Sequence, residues 1–135
     1  MEHNYSYLII DDDNINNLVC ESIIKRYFKH HTIHAFLAAK EALSFIEEAP
    51  IDKQPTIILL DINMPEIDGW EFIELFLQLD DTKLQYKKIF MLSSSIDNKD
   101  MEKAAAYDCV IGYITKPLNK LKLSEAVEKT AKILS

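Results

Sequence analysis

Thr56-Ile57-Ile58-Leu59-Leu60-Asp61-Ile62-Asn63-Met64-Pro65-Glu66-Ile67-Asp68-Gly69 is the stretch on which the fold turns. Ile57 to Leu60 form an unbroken apolar run with no polar alternation, the pattern of a strand buried on both faces. The run ends on a single carboxylate, Asp61, and a turn carrying Pro65 and Gly69 follows. Asp61 therefore stands at the carboxyl end of a buried strand, the edge where open α/β sheets bind ligands. Alone, it reads better as a strand-ending residue or a helix cap. Matching chemistry elsewhere in the chain changes that balance.

Working outward, Tyr7-Leu8-Ile9-Ile10 is a first buried strand after a short lead-in over Met1 to Tyr5, and it stops on Asp11-Asp12-Asp13-Asn14. Three adjacent acids repel one another unless they are solvated or bind a cation. Asp and Asn also favour helix starts, so this stretch by itself leaves both readings open. Ile15, Leu18, Val19, Ile23 and Tyr27 recur at helical spacing and predict a helix with that face toward a sheet. Thr32 to Phe36 is a short second strand. Ala39, Ala42, Leu43 and Ile46 mark a second helix, stopped by Pro50, and residues 50–55 are a polar connection.

Beyond Gly69, Trp70, Ile73, Phe76 and Leu77 predict a third helix, and Asp80 to Lys88 a charged loop. Ile89 to Leu92 is the fourth buried strand, ending on Ser93-Ser94-Ser95. Asp97 or Asn98 can cap a fourth helix carrying Met101, Ala104 and Ala105. Val110 to Ile114 is the fifth strand, ending on Thr115-Lys116-Pro117. A last helix from about Asn119 presents Leu123, Ala126, Val127 and Thr130 to the core, with Ile133 and Leu134 closing it. Five strands alternating with five helices predict an α/β fold, a doubly wound parallel sheet with helices on both faces. The order of the strands does not follow from periodicity.

With 135 residues, 48% hydrophobic and 27% charged, the chain fits one domain over residues 1–135. Its net charge of −7 argues against direct nucleic-acid binding, which normally shows a basic patch. Cys20 and Cys109 lie too far apart for a metal or redox spacing. His30, His31 and His34 lack an acid or cysteine nearby to complete a zinc site and read as edge-strand histidines. There is no signal-peptide pattern and no run long enough to span a membrane, so the expected setting is the cytoplasm.

All carboxyl ends of a parallel sheet share one edge. Onto it the chain places Asp11-Asp12, Asp61, Ser93 and Lys116, each directly after an apolar run. Clustered carboxylates force at least one pKa upward unless a cation joins them. A hard divalent ion fits, and Mg²⁺ takes few carboxylates together with water and phosphate. Lys116 adds a mobile point charge suited to a phosphoryl oxygen, and Ser93 a hydroxyl donor. These are the requirements of an aspartyl-phosphate site, with a carboxylate as nucleophile and the other groups neutralising the transferring phosphoryl oxygens.

Leu8-Ile9-Ile10-Asp11-Asp12, Leu59-Leu60-Asp61-Ile62-Asn63-Met64-Pro65 with Asp68-Gly69, Met91-Leu92-Ser93-Ser94 and Tyr113-Ile114-Thr115-Lys116-Pro117 together resemble the receiver domain of two-component response regulators. The similarity covers essentially the whole chain, in the manner of a stand-alone chemotaxis regulator. It implies a flavodoxin-like sheet of order 2-1-3-4-5 and a phosphoryl group accepted by Asp61 from a phosphohistidine. Mg²⁺ would be held by Asp12 and Asp61, by the Asn63 carbonyl, and by Asp11 through water. Ser93, Ser94 and Lys116 would meet the phosphate, Ser93 and Tyr113 would switch, and the bond before Pro117 would be cis. Asp13 falls at a variable loop position. The implied partners are a histidine kinase or histidine phosphotransfer protein and an unidentified downstream protein, with a phosphorylation-dependent homodimer as an option. The switching surface would be the fourth helix, fifth strand and fifth helix, roughly residues 97–130. Cys109 and Ser94 stand where the family often has glycine, and alanine or glycine. Neither departure removes a reacting group.

Three rivals use other features. A haloacid-dehalogenase-like phosphatase would take Asp11-x-Asp13 as its start, and leaves Asp61 without a role. A flavin or nucleotide carrier needs a glycine-rich loop after the first strand, whereas the two glycines are Gly69 and Gly112. A phosphorylation-independent receiver-like module would not need the acceptor-site residues that are all present. No output domain follows residue 135, so the chain reads as a stand-alone receiver or as a piece of a larger protein.

Overall fold

The computed structural model describes residues 4–95 and 97–134. Strands β1 (Tyr5–Ile10), β2 (His30–Phe36), β3 (Thr56–Asp61), β4 (Lys87–Ser93) and β5 (Val110–Thr115) form one sheet in the order β2-β1-β3-β4-β5. All four pairings are parallel. This is the flavodoxin-like, doubly wound order. The chain leaves β1 outward to β2, then returns past β1 to β3, and the reversal opens a crevice at the carboxyl ends. β1 and β3 are buried at every position, which is why both are nearly unbroken apolar runs. Because Tyr5 belongs to β1, the strand begins inside the expected lead-in; residues 1–3 lie outside the described residues.

The helices are α1 (Asn14–Tyr27), α2 (Ala39–Glu48), α3 (Gly69–Phe76), α4 (Asp81–Leu84), α5 (Asn98–Ala105) and α6 (Lys120–Leu134). α4 is a single turn within the expected charged loop, where the Asp80 carboxylate accepts from the Thr82 N–H at 3.1 Å and starts a helix. The fourth and fifth helices read from the sequence are thus α5 and α6. Side chains alternate along each strand between two cores. Leu8, Ile10, Ile58, Leu60, Ile89 and Met91 meet α2, α3 and Ala104 of α5 on one face. Tyr7, Ile9, Ile57, Leu59, Phe90 and Leu92 meet α1 and α6 on the other.

α1 corrects the sequence reading. It turns Asn16, Asn17, Cys20 and Ile24 toward the sheet, while Ile15 is 73% and Leu18 58% exposed, and Val19 and Tyr27 are also exposed. The Asp13 carboxylate, capping the helix through the N–H groups of Ile15 and Asn16, fixes where the first turn begins. With that phase fixed, the asparagine amides fall beside the end of β1 and find partners there. The NH₂ groups of both amides are hydrogen-bonded, although Asn17 Oδ1 is buried without a partner. The pair displaces most of the apolar stripe from the core, with Ile23 alone of the expected face still packed against it. The histidines lie as expected on the edge strand β2. His30 and His31 are exposed, and the His34 ring packs 4.5 Å from that of Phe45.

A separate joint ties α3 to α5. The Trp70 ring stacks on Tyr107 at 6.4 Å, Lys103 Nζ sits 5.2 Å over the indole, and the Tyr107 hydroxyl donates to Glu74. Among the described residues no helix is long and apolar enough to cross a membrane.

Candidate functional site

The ends of β1 and β3 are neighbours in the sheet, so Ile10 pairs with Leu60 and the next residues, Asp11 and Asp61, emerge side by side. With Asp12 they form a cluster whose carboxylate oxygens lie within 4.8 Å of one another. Asp11 and Asp61 are buried and Asp12 is exposed. Every donor is a carboxylate oxygen, a set that suits a hard divalent cation and offers nothing to a soft one.

Lys116 reaches into this cluster from the end of β5. Its ammonium lies 2.8 Å from Asp11 Oδ2 and donates to Asp61 Oδ1 at 3.3 Å. Burial opposes the charge on Lys116, yet Asp11 and Asp61 hold its pKa above the ordinary lysine value. Asp61 is raised above the ordinary aspartate value by burial and by the Asp11 charge, against the pull of Lys116 and of the Asn63 backbone N–H. The backbone around Asp61 is fixed by close packing. A Cβ on Gly69, the first residue of α3, would stand 2.7 Å from the Asp61 carbonyl oxygen, so only glycine lets the helix start there.

Ser93 is buried at the end of β4, and its hydroxyl donates to the Ser95 carbonyl at 2.9 Å. It is turned along its own loop. Ser94 and Asn63 stand exposed at the rim. Tyr113 is 43% exposed on β5 and lines a groove between β5 and α6 with Gly112, Lys122, Ala126 and Lys129. The Lys116–Pro117 peptide bond is cis. Side-chain contact thus joins Asp11, Asp61 and Lys116, with Asp12 beside them, while Tyr113 lies apart.

One residue that holds a site carboxylate, and a neighbour that braces the strand end beneath it, escape the sequence reading. The Asn16 amide donates to Asp11 Oδ2 at 2.7 Å, and the Asn17 amide donates to the backbone carbonyl of Asp11 at 2.9 Å. Both are buried. The usable signal was the adjacent pair of amides in the first turn after a capping Asp13, within reach of the strand end.

Comparisons with known proteins agree with this geometry. A family model described as the response regulator receiver domain matches residues 7–128. The chain is 28% identical over 125 residues to chemotaxis protein CheY of Listeria monocytogenes, covering 93% of this chain and 97% of that protein. It is 25% identical over 128 residues to hybrid signal transduction histidine kinase E of Dictyostelium discoideum; that match takes in 94% of this chain but spans 7% of the kinase. The solved structure of a two component response regulator from Cytophaga hutchinsonii superposes with a TM-score of 0.86 at 34% identity, over 97% of this chain and 99% of that one. A family match that runs from β1 into α6 takes in every strand of the sheet, and the chain belongs to the response regulator receiver domain family.

Proposed function

We propose that residues 1–135 work as one phosphoacceptor receiver domain in a two-component or phosphorelay system, with Asp61 as the acceptor. The observation that carries this reading is the position of Asp61. It is a buried carboxylate at the end of the central strand, 3.3 Å from the Lys116 ammonium and clustered with two further acids. The donor would be the phosphohistidine of a histidine kinase or histidine phosphotransfer protein, met in the cytoplasm.

In the transfer, an oxygen of Asp61 attacks phosphorus and the phosphorus–nitrogen bond of the donor breaks. The electron pair leaves with the imidazole, and an acyl phosphate forms on Asp61. The donor set of Asp12 and Asp61, the Asn63 carbonyl, and Asp11 through water fits Mg²⁺, which when bound would neutralise charge on the transferring oxygens. Lys116, already against Asp61, exchanges part of its carboxylate contact for a phosphoryl oxygen. Ser93 gives up its bond to Ser95 and turns toward the new dianion, with Ser94 beside it at the rim. The space Ser93 leaves is refilled from β5 by the ring of Tyr113, because packed interiors resist voids. The face of α5, β5 and α6 then differs between the two states and is read by a downstream protein or by a second copy of the chain. The receiver is not a conventional enzyme; the only bonds it makes and breaks are those of its own acyl phosphate.

Acetyl phosphate with Mg²⁺ should add one phosphoryl group, located at Asp61 by trapping and mass spectrometry, and Asp61→Asn should take up none. Labelling of Asp11 instead would turn the assignment toward a phosphatase-like site. Absence of any labelling would leave a phosphorylation-independent interaction module.

A further inference from the structure

Asp11 is gripped more completely than any other acid of the cluster. Its Oδ1 accepts from the backbone N–H of Asp13 at 2.9 Å. Its Oδ2 accepts from the Asn16 amide at 2.7 Å and from the Lys116 ammonium at 2.8 Å. These two donors to Oδ2 differ in kind. Lys116 is a flexible cation also shared with Asp61, and a divalent cation entering among the three carboxylates repels it. Asn16 is neutral, so the same cation leaves it in place. It is also fixed from several sides. It belongs to the first turn of α1, where its own N–H bonds the Asp13 cap, and its amide nitrogen rests 3.7 Å from the buried Cys20 Sγ. Its neighbour Asn17 clasps the carbonyls of Asp11 and Phe36, closing that turn onto the ends of β1 and β2.

We propose that Asn16 is a positioning residue for the metal-linked chemistry of the pocket. Its amide holds the Asp11 carboxylate in one orientation when an arriving divalent cation displaces Lys116 from Asp11. Without that donor, Oδ2 would lose both its partners at the moment the cation arrives. The carboxylate would then be held at Oδ1 alone, by the Asp13 N–H, and would swing more widely about its terminal torsion, which has broad and shallow preferences. Asp11 could then turn away from the ion or crowd onto it, and either rearrangement weakens binding. Asn17 has a different task, since its amide holds backbone carbonyls and touches no carboxylate. This inference rests on the receiver reading of the site but concerns a residue that the acid–lysine–hydroxyl set does not contain.

The test is Mg²⁺ binding in the absence of any phosphodonor, followed by NMR on ¹⁵N-labelled protein. Asn16→Leu keeps the branching and number of side-chain heavy atoms and removes the donor, and should raise the Mg²⁺ dissociation constant about tenfold. Asn17→Ala should lower the unfolding temperature and keep the Mg²⁺ affinity of the unsubstituted protein. An Asn16→Leu protein that labels normally at Asp61 and binds Mg²⁺ as tightly as the parent overturns the inference and leaves the receiver reading standing. Equal losses in Asn16→Leu and Asn17→Ala overturn it too, because they would mark a general loosening of the turn. The unsubstituted protein gives an independent check should Asn16→Leu fail to fold. Its Asn16 side-chain amide protons should stay shifted and slow to exchange at saturating Mg²⁺, and their collapse to solvent-like values would refute the proposed hold on Asp11.

Discussion

Burial at the end of β3 and the charge of Asp11 push the Asp61 carboxyl up from 3.8 to about 6, against the pull of Lys116. The unfolded chain releases this proton near the ordinary value, whereas the folded chain keeps it to about pH 6. Between the two, folding takes up a proton, so the metal-free protein loses stability as pH rises through that window, and the loss is complete above it. Asn at this position carries no charge. Asp61→Asn should therefore exceed the parent in metal-free stability near pH 7 by about 1 kcal/mol, after discounting for the solvent-open cleft. That corresponds to about 3 °C in unfolding temperature, and the difference should vanish below about pH 4. Thermal unfolding followed by circular dichroism at the two pH values checks it; a less stable variant at neutral pH would mean that Asp61 is not strained. Residues of this kind were legible in the sequence because each acid, hydroxyl or lysine directly follows an apolar run. Asn16 and Asn17 were not, since polar residues inside an amphipathic helix ordinarily mark its solvated face.

Among the elements, the strands and α6 declared themselves. Leu123, Ala126, Val127 and Thr130 are the residues α6 buries, as their spacing predicts, and Leu134 packs against the same core, whereas Ile133 is exposed. α1 did not, because a cap and two paired amides set its rotation while the apolar spacing alone pointed elsewhere. The consequence is measurable. Ile24 is fully buried, and Ile24→Ala should cost about 2–5 kcal/mol in denaturant unfolding. Leu18 is 58% exposed, and Leu18→Ala should change stability by less than about 0.5 kcal/mol. The reverse ranking would restore the helix face that the sequence pattern suggests. The one-turn α4 was missed for a related reason. Four residues are too few for a periodic pattern, and only Asp80 at its start gave a signal.

At the scale of the whole molecule, the strand order was the part that periodicity could not supply. It depends on which buried runs pair, and the resemblance supplied it. That order places Asp61, Ser93 and Tyr113 on the adjacent strands β3, β4 and β5, along which the proposed switch would run. Ser93 bonds Ser95 and Tyr113 is partly exposed, so the proposed switch would require both side chains to move. A protein switching in the proposed way would visit its other state at low population even without phosphate. Tyr113→Ala should therefore leave labelling of Asp61 near normal while weakening phosphorylation-dependent association, read by sedimentation or by binding to the downstream protein. Unchanged association in that variant would remove Tyr113 from the path.

The joint between α3 and α5 adds an optical consequence. Trp70 is the chain's one tryptophan, and its indole is flanked by the Tyr107 ring and the Lys103 ammonium. Charge and a phenol ring that close perturb the excited indole, so the emission of the protein depends on how α5 and the turn after it lie against α3. Fluorescence from this chain is therefore a gauge of helix displacement before it is a gauge of pocket occupancy. Replacing Lys103 with methionine should shift that emission while every carboxylate of the pocket stays where it is.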